Sequence, residues 1–99
     1  MNVMMFRAKI KPEHVSDVES AVTTMFAALQ AQQPQGVKYA SSRASDGTTF
    51  IILLALENPS ENPLPAIPEF QAFQSSMRGW LAEPTMPEPL TVVGSYNLF

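Results

Sequence analysis

The chain has 99 residues, of which 45% are hydrophobic and 15% charged, a composition typical of one globular domain spanning residues 1–99. The formal net charge of −3 argues against nucleic acid as a partner, because basic surfaces bind phosphate backbones. The sequence contains no cysteine and one histidine, which excludes disulfides, thiolate chemistry and a histidine metal cage within one chain. We therefore expect a small acidic domain with no metal site.

The N-terminal segment MNVMMFRAKI is apolar, but Arg7 and Lys9 interrupt it, and it lacks a small-residue cleavage site. The longest apolar run, residues 50–56, is too short to cross a bilayer. These features predict a cytoplasmic protein without a membrane partner.

The first predicted elements are a strand and a long helix. Residues 3–10 alternate in the manner of a strand, with Met4 and Phe6 on one face and Arg7 on the other. Pro12 is placed to begin a helix, and Pro34 and Gly36 should end it near residue 33. Its apolar residues recur at helical spacing: Val15, Val18, Val22, Met25, Phe26 and Leu29.

A hairpin and a second helix follow. Residues 37–44 and 49–57 are predicted strands, joined through Asp46-Gly47, a pair that favours a two-residue turn with positive φ at both positions. Residues 58–68 are rich in proline and should form neither a helix nor a central strand. Pro68 begins the second helix, residues 83–89 form another proline-rich connector, and residues 90–99 form the last strand.

The element order β-α-β-β-α-β predicts an α+β, ferredoxin-like fold with a four-stranded antiparallel sheet and both helices on one face. The third strand, TFIILLALE, is apolar on both faces, as expected of a strand buried on both sides. Two helices on one face leave the other face uncovered, and a second copy of the chain is the simplest cover. We therefore predict a homodimer formed through the sheet faces.

Three segments, MFRAKIKPEHV, PEFQAFQSSMRGWL and LTVVGSYNLF, together with the element order, resemble the dimeric α+β barrel superfamily. Within it, the chain is similar to the antibiotic-biosynthesis-monooxygenase-like group. That group includes cofactor-independent monooxygenases of polycyclic aromatic substrates, haem-degrading enzymes and small proteins without assigned activity. The resemblance implies a ligand cavity between the helices and the sheet, and a dimer formed through the sheets.

Haem-degrading members of that group resemble one another in a histidine on or after the second helix and an asparagine within the first strand. Here the second helix has no histidine, and the first strand offers only Asn2 at its start. The resemblance therefore favours a monooxygenase-like protein that uses no cofactor and acts on a small aromatic or polyketide-like molecule. The alternatives are a non-catalytic ligand-binding or stress-associated protein of the same fold, and a module that serves only association.

The candidate catalytic residues are His14, Tyr39 and Arg43. His14 is the only side chain whose ordinary pKa lies near neutrality, and Asp17 follows one helical turn later. A histidine beside an acid on a helix surface is, however, commonly inert. Tyr39 and Arg43 lie on the second strand. The Tyr39 hydroxyl could donate to a ligand oxygen or lie at the rim of a dimer. A pocket in which His14, Tyr39 or Arg43 converges on Trp80 would favour an enzyme.

Five apolar residues are candidates for the wall of a ligand pocket: Phe6, Met25, Phe26, Phe73 and Trp80. Aromatic residues at helical spacing serve equally well as core packing, and Trp80, near the end of its helix, is the strongest exception. Phosphate-binding loops, the HExxH zinc motif and the Gly-x-Ser-x-Gly nucleophile motif are missing from the sequence.

Overall fold

The structure is a computed structural model that describes residues 2–98. Four strands and two α-helices make up its regular part in that range: β1 (Asn2–Lys9), α1 (Val15–Gln32), β2 (Val37–Arg43), β3 (Thr49–Leu56), α2 (Pro68–Trp80) and β4 (Pro87–Leu90). The strands form one antiparallel sheet in the order β2-β3-β1-β4. The predicted α+β ferredoxin-like architecture is confirmed.

Both ends of α1 follow from local sequence. A 3₁₀ turn over Pro12–His14 precedes the helix, so the α-helical part begins three residues later than predicted. At the other end Gln33 adopts the left-handed conformation, with φ 48°, and its backbone N–H donates to the carbonyl of Leu29 at 2.8 Å. This cap satisfies a terminal carbonyl and ends the helix where Pro34 predicts it.

The β2–β3 hairpin differs from the predicted two-residue turn. Gly47 has φ 81°, whereas Asp46 does not have a positive φ. The Asp46 carboxylate instead accepts hydrogen bonds from the backbone N–H groups of Thr48 and Thr49, at 3.0 and 2.9 Å, and from the Thr49 hydroxyl at 2.6 Å. These bonds organise a longer loop, in which only the glycine needs the left-handed region.

The proline-rich segment after β3 contains two 3₁₀ turns, Pro59–Glu61 and Leu64–Ala66. Leu64 is fully buried and Ile67 nearly so, and both belong to the main hydrophobic core. The segment therefore follows the core surface and leads the chain directly into α2.

The last strand is placed differently from the prediction. β4 comprises Pro87–Leu90, so it begins within the predicted connector and ends at the first residue of the predicted strand, and residues 91–98 lie outside the sheet. Leu90 pairs with Val3, so β1 has almost no backbone left to pair with residues after Leu90. Prolines are tolerated in β4 because it is an edge strand. Residue 99 of the predicted strand lies outside the described residues.

The segment after β4 crosses the face of the sheet that points away from the helices, here called the outer face. Leu90, Val3, Ala55 and Lys38 are successive cross-strand partners in one row across the sheet. The chain leaves the sheet at Leu90, and residues 97–98 share a cleft with Lys38 on the far strand. This path explains why Val3 and Ala55 are only 2% and 0% exposed on a face without helices.

Candidate ligand-binding site

A cavity of about 550 Å³ lies between α2 and the helix-covered face of the sheet. Its floor comes from alternate residues of the two central strands, and its roof from one face of α2. The floor residues are Phe6, Ala8, Ile52 and Leu54, and the buried roof residues are Phe70, Phe73 and Met77. This volume is in the range of small-molecule sites, and the lining is predominantly apolar, as such sites generally are.

The spacing of residues along α2 accounts for the roof. Phe70, Phe73 and Met77 are three and four positions apart, so they lie on the same side of the helix. Gln74 and Arg78 follow Phe73 and Met77 by one residue, which places them at the margin of this side, next to the cavity. One helix therefore supplies both an apolar roof and a polar edge.

Tyr39 lines the β2 side of the cavity. Its ring stacks on Phe26, with 5.2 Å between centroids, and meets Phe70 edge to face at 6.3 Å. Burial raises the pKa of the Tyr39 phenol from 10.0 to about 12, because the charged form loses its hydration. The phenol therefore stays protonated near neutral pH and can donate a hydrogen bond.

The remaining polar lining consists of Asn62, Gln74, Arg78 and Thr85. The Asn62 side-chain oxygen accepts a hydrogen bond from the backbone N–H of Leu64 at 3.0 Å, which leaves its NH₂ group as a donor. The Thr85 hydroxyl is buried and has no hydrogen-bond partner in the part of the chain that the structure describes. Among residues 2–98, no aspartate, glutamate or histidine lines the cavity.

The predicted pocket residues divide into two groups. Phe6 and Phe73 line the cavity, together with the predicted catalytic candidate Tyr39. Met25 is 1% exposed and belongs to the core, away from the cavity. Phe26 lies behind the Tyr39 ring and lines a separate groove between α1 and β2.

His14, Arg43 and Trp80 lie outside the lining of the cavity. The His14 ring stacks near Trp80, with centroids 6.1 Å apart, and its Nδ1 is 2.9 Å from Asp17 Oδ2. Arg43 forms an ion pair with Glu19 of α1. His14 and Trp80 therefore lie next to each other on the surface beside the start of α1, and not in the cavity.

Four polar lining residues were not predicted from the sequence: Asn62, Gln74, Arg78 and Thr85. Helical spacing from Phe70 and Phe73 could have identified Gln74 and Arg78, because positions one turn apart share a side of the helix. Asn62 and Thr85 lie in proline-rich irregular segments, where no periodicity indicates which way a side chain points.

Residues 2–98 contain no group of three or more histidine, aspartate or glutamate side chains that could hold a metal ion. Over the same residues, neither helix has the length and hydropathy needed to cross a membrane.

Comparison with protein-family models finds no match, and no curated protein matches this sequence. Solved structures do match. A protein described as a candidate antibiotic biosynthesis monooxygenase from Nitrosomonas europaea is 15% identical, with a TM-score of 0.80, over 95% of this chain and 100% of that chain. A similarly described protein from Caulobacter crescentus is 18% identical, with a TM-score of 0.75, over 94% and 90% of the two chains.

A third match is a mutant of SnoaB, described as a cofactor-independent oxygenase from Streptomyces nogalater. It is 13% identical, with a TM-score of 0.71, and the match covers 97% of this chain and 96% of that chain. These likenesses define the class of fold as an α+β ferredoxin-like domain. Each alignment covers nearly the whole of both chains. Within that class, the chain shares the fold of structures described as antibiotic biosynthesis monooxygenases, in agreement with the sequence resemblance.

Proposed function

We propose that the protein binds a small aromatic or polyketide-like molecule in the α2–sheet cavity and oxidises it with molecular oxygen, without a cofactor. The proposal is based on the position of Tyr39. This residue is a protonated phenol that contacts two aromatic rings at one side of an apolar cavity. The structural likeness to a protein named as a cofactor-independent oxygenase supports the same reaction class.

The reaction balances without an external reductant. An activated ring CH₂ group loses a proton to give a resonance-stabilised anion, and this anion transfers electrons to O₂. One oxygen atom becomes the new carbonyl oxygen of the product, and the other leaves as water with the two hydrogens of the CH₂ group. The substrate supplies all four electrons, so neither a metal nor a flavin enters the balance.

The cavity contributes orientation, hydrogen bonds and exclusion of water. Because no carboxylate or imidazole among residues 2–98 lines it, the described lining offers no such general base. The substrate must therefore be acidic enough to ionise with little help. Tyr39 donates to the oxygen on which negative charge develops, and the apolar lining strengthens that hydrogen bond.

Oxygen consumption with a polycyclic phenol tests this function. We would follow oxygen uptake with 1,8-dihydroxyanthrone in the presence of a chelator, comparing the wild type, Tyr39→Phe and a protein-free solution. The expected result is accelerated uptake of one oxygen molecule per substrate, with no oxygen returned by catalase, and a lower rate for Tyr39→Phe. Uptake at the protein-free rate would contradict the proposed oxidation.

A non-catalytic binding protein is the second candidate, favoured by the same lack of an acid–base residue in the described lining. In that case the ligand binds in the cavity and is recovered unchanged after incubation in oxygenated buffer. Product analysis of the bound fraction separates the two functions.

We also propose that two copies associate through their outer faces, as the third-strand pattern predicts. Met5, Ile51 and Leu53 remain half-buried on this face. The C-terminal segment adds Val93 and Tyr96, which are 98% and 90% exposed. A second copy would cover these apolar side chains, and contiguous apolar surface of this kind commonly marks an interface. A cytoplasmic location stays a prediction from the sequence.

A further inference from the structure

We propose that the cavity selects ligands that carry a negative charge, and that Arg78 binds that charge. This inference rests on the proposed function because it concerns the same cavity, but it defines the ligand more narrowly. The ligand class is an aromatic molecule with an anionic oxygen group, such as a carboxylate or a sulfonate, at one end.

The first argument is the charge of the lining. Arg78 is the only charged residue that lines the cavity among residues 2–98. The contacts between basic and acidic side chains found in that range join His14 to Asp17 and Arg43 to Glu19, so Arg78 has no acidic partner there. A guanidinium at the edge of an apolar cavity, with no carboxylate to neutralise it, attracts an anion.

The second argument is the hydrogen-bonding character of the neutral lining residues. Tyr39 is a protonated phenol, and the oxygen of the Asn62 amide is already engaged with the Leu64 backbone. Gln74 and Thr85 bring an amide and a hydroxyl, each of which can donate. A lining with several available donors and no carboxylate suits a ligand whose polar atoms are acceptors, as the oxygens of an anion are.

The third argument is the position of Arg78 relative to Tyr39. Arg78 lies in the last turn of α2, four residues before Ala82, whose backbone N–H donates to the carbonyl of Lys9 on β1. The end of α2 therefore lies beside β1, whereas Tyr39 lies on β2. In the sheet, β2 and β1 are two strand spacings apart, roughly 10 Å. The geometry therefore suits an elongated ligand with an oxygen at each end.

Arg78 also lies in the last turn of α2, where a cation interacts favourably with the helix dipole. The interaction with the helix dipole needs no ligand. If it were the only role of Arg78, replacing Arg78 would leave ligand binding unchanged. The affinity of the Arg78→Gln variant for an anionic probe separates the two roles.

Two fluorescent probes with the same ring framework test the inference. 1-Anilinonaphthalene-8-sulfonate is an anion, and N-phenyl-1-naphthylamine is its neutral counterpart without the sulfonate. Each is titrated into the wild type, Arg78→Gln and Arg43→Gln. Arg43 is the matched control because it is an exposed arginine outside the cavity lining. Circular dichroism and thermal unfolding verify that each variant is folded.

We expect Arg78→Gln to weaken binding of the anionic probe about tenfold, the effect of losing one charge-assisted hydrogen bond. Binding of the neutral probe should be unchanged in both variants, and binding of the anionic probe unchanged in Arg43→Gln. Equal affinities of the wild type and Arg78→Gln for the anionic probe would overturn the inference. Binding of the probe to the exposed C-terminal segment would give this result, because Arg78 would then not contact the probe.

Two other outcomes separate this inference from the proposed function. Binding of the neutral probe with no binding of the anionic probe would overturn the charge selection and leave the aromatic cavity site standing. Failure of both probes to bind the wild type would contradict the cavity site itself, and with it both proposals.

Discussion

The ring of Tyr39 stacks on that of Phe26, with 5.2 Å between centroids and 16° between ring planes. This contact joins β2 to α1, and the Tyr39 ring also meets Phe70 of α2 in an edge-to-face contact. Tyr39 therefore fixes the position of both helices on the sheet while its side chain closes one side of the cavity. A single residue connects the packing of the fold with the chemistry proposed for the site.

The raised pKa of Tyr39 predicts a loss of stability in alkali. The phenol ionises near pH 10 in the unfolded chain and at about 12 in the folded protein. Its contribution to the free energy of unfolding is therefore complete below pH 10 and is lost as pH rises towards 12. Urea unfolding across this range should show a steeper decline for the wild type than for Tyr39→Phe. Parallel declines would contradict the burial of the phenol.

Phe73 and Trp80 lie on the same helix but are expected to respond differently to truncation. Phe73 is 8% exposed and lines the cavity, so Phe73→Ala should cost about 3–5 kcal/mol of stability and weaken probe binding. Trp80 is half-buried against His14, so Trp80→Ala should cost roughly 2 kcal/mol and leave binding unchanged. Weakened binding in a Trp80→Ala protein of unchanged melting temperature would contradict this assignment.

Local patterns were sufficient to predict both helices, apart from the 3₁₀ turn that precedes α1. In α2, Pro68 occupies the first helical turn and the aromatic residues recur at helical spacing, so its predicted start is confirmed. The end of β4 could not be predicted in this way. β4 ends at Leu90 because Leu90 pairs with Val3, close to the start of β1 and more than eighty residues earlier in the chain. Residues after Leu90 therefore have almost no β1 backbone with which to pair.

The same distinction applies to the candidate site. Phe6 and Phe73 lie on regular elements whose periodicity indicates an inward face, and the structure places both at the cavity. Residues without such a pattern, Asn62 and Thr85, reach the cavity only through the course of the proline-rich segments. Met25 has the same pattern as a pocket residue, but it packs in the core, because periodicity identifies a buried face and not a cavity.

Asp46 should stabilise the β2–β3 loop in a pH-dependent manner. Hydrogen bonds from the Thr49 side chain and from the Thr49 and Thr48 backbones lower the pKa of its carboxyl from 3.8 to about 2. Its stabilising contribution is present above pH 4 and is lost as pH falls towards 2. Asp46→Ala should therefore lower the melting temperature at neutral pH, with the difference from the wild type narrowing in acid. An equal difference at both pH values would contradict this coupling.

Native mass spectrometry of ligand-free protein tests the association of two copies. We expect a mass of two chains for the wild type. Val93→Asp should favour the single chain, because it introduces a charge where a second copy would bury an apolar side chain. Gln30→Asp on α1 is the matched control because the helices lie on the other face of the sheet. Lys38→Asp is unsuitable as a control because Lys38 lies on the outer face itself. A wild-type mass of one chain would contradict the dimer.

The central claim is that the α2–sheet cavity is where this protein binds an aromatic ligand, and Met77 reports on it directly. Its side chain lines the cavity, Met25 is buried elsewhere in the core, and Met86 is 77% exposed. With [¹³C-methyl]methionine protein, titration with 1-anilinonaphthalene-8-sulfonate should shift the Met77 methyl resonance, assigned through Met77→Leu, and leave those of Met25 and Met86 in place. A shift of Met86 with an unchanged Met77 would place the ligand outside the cavity and contradict the claim.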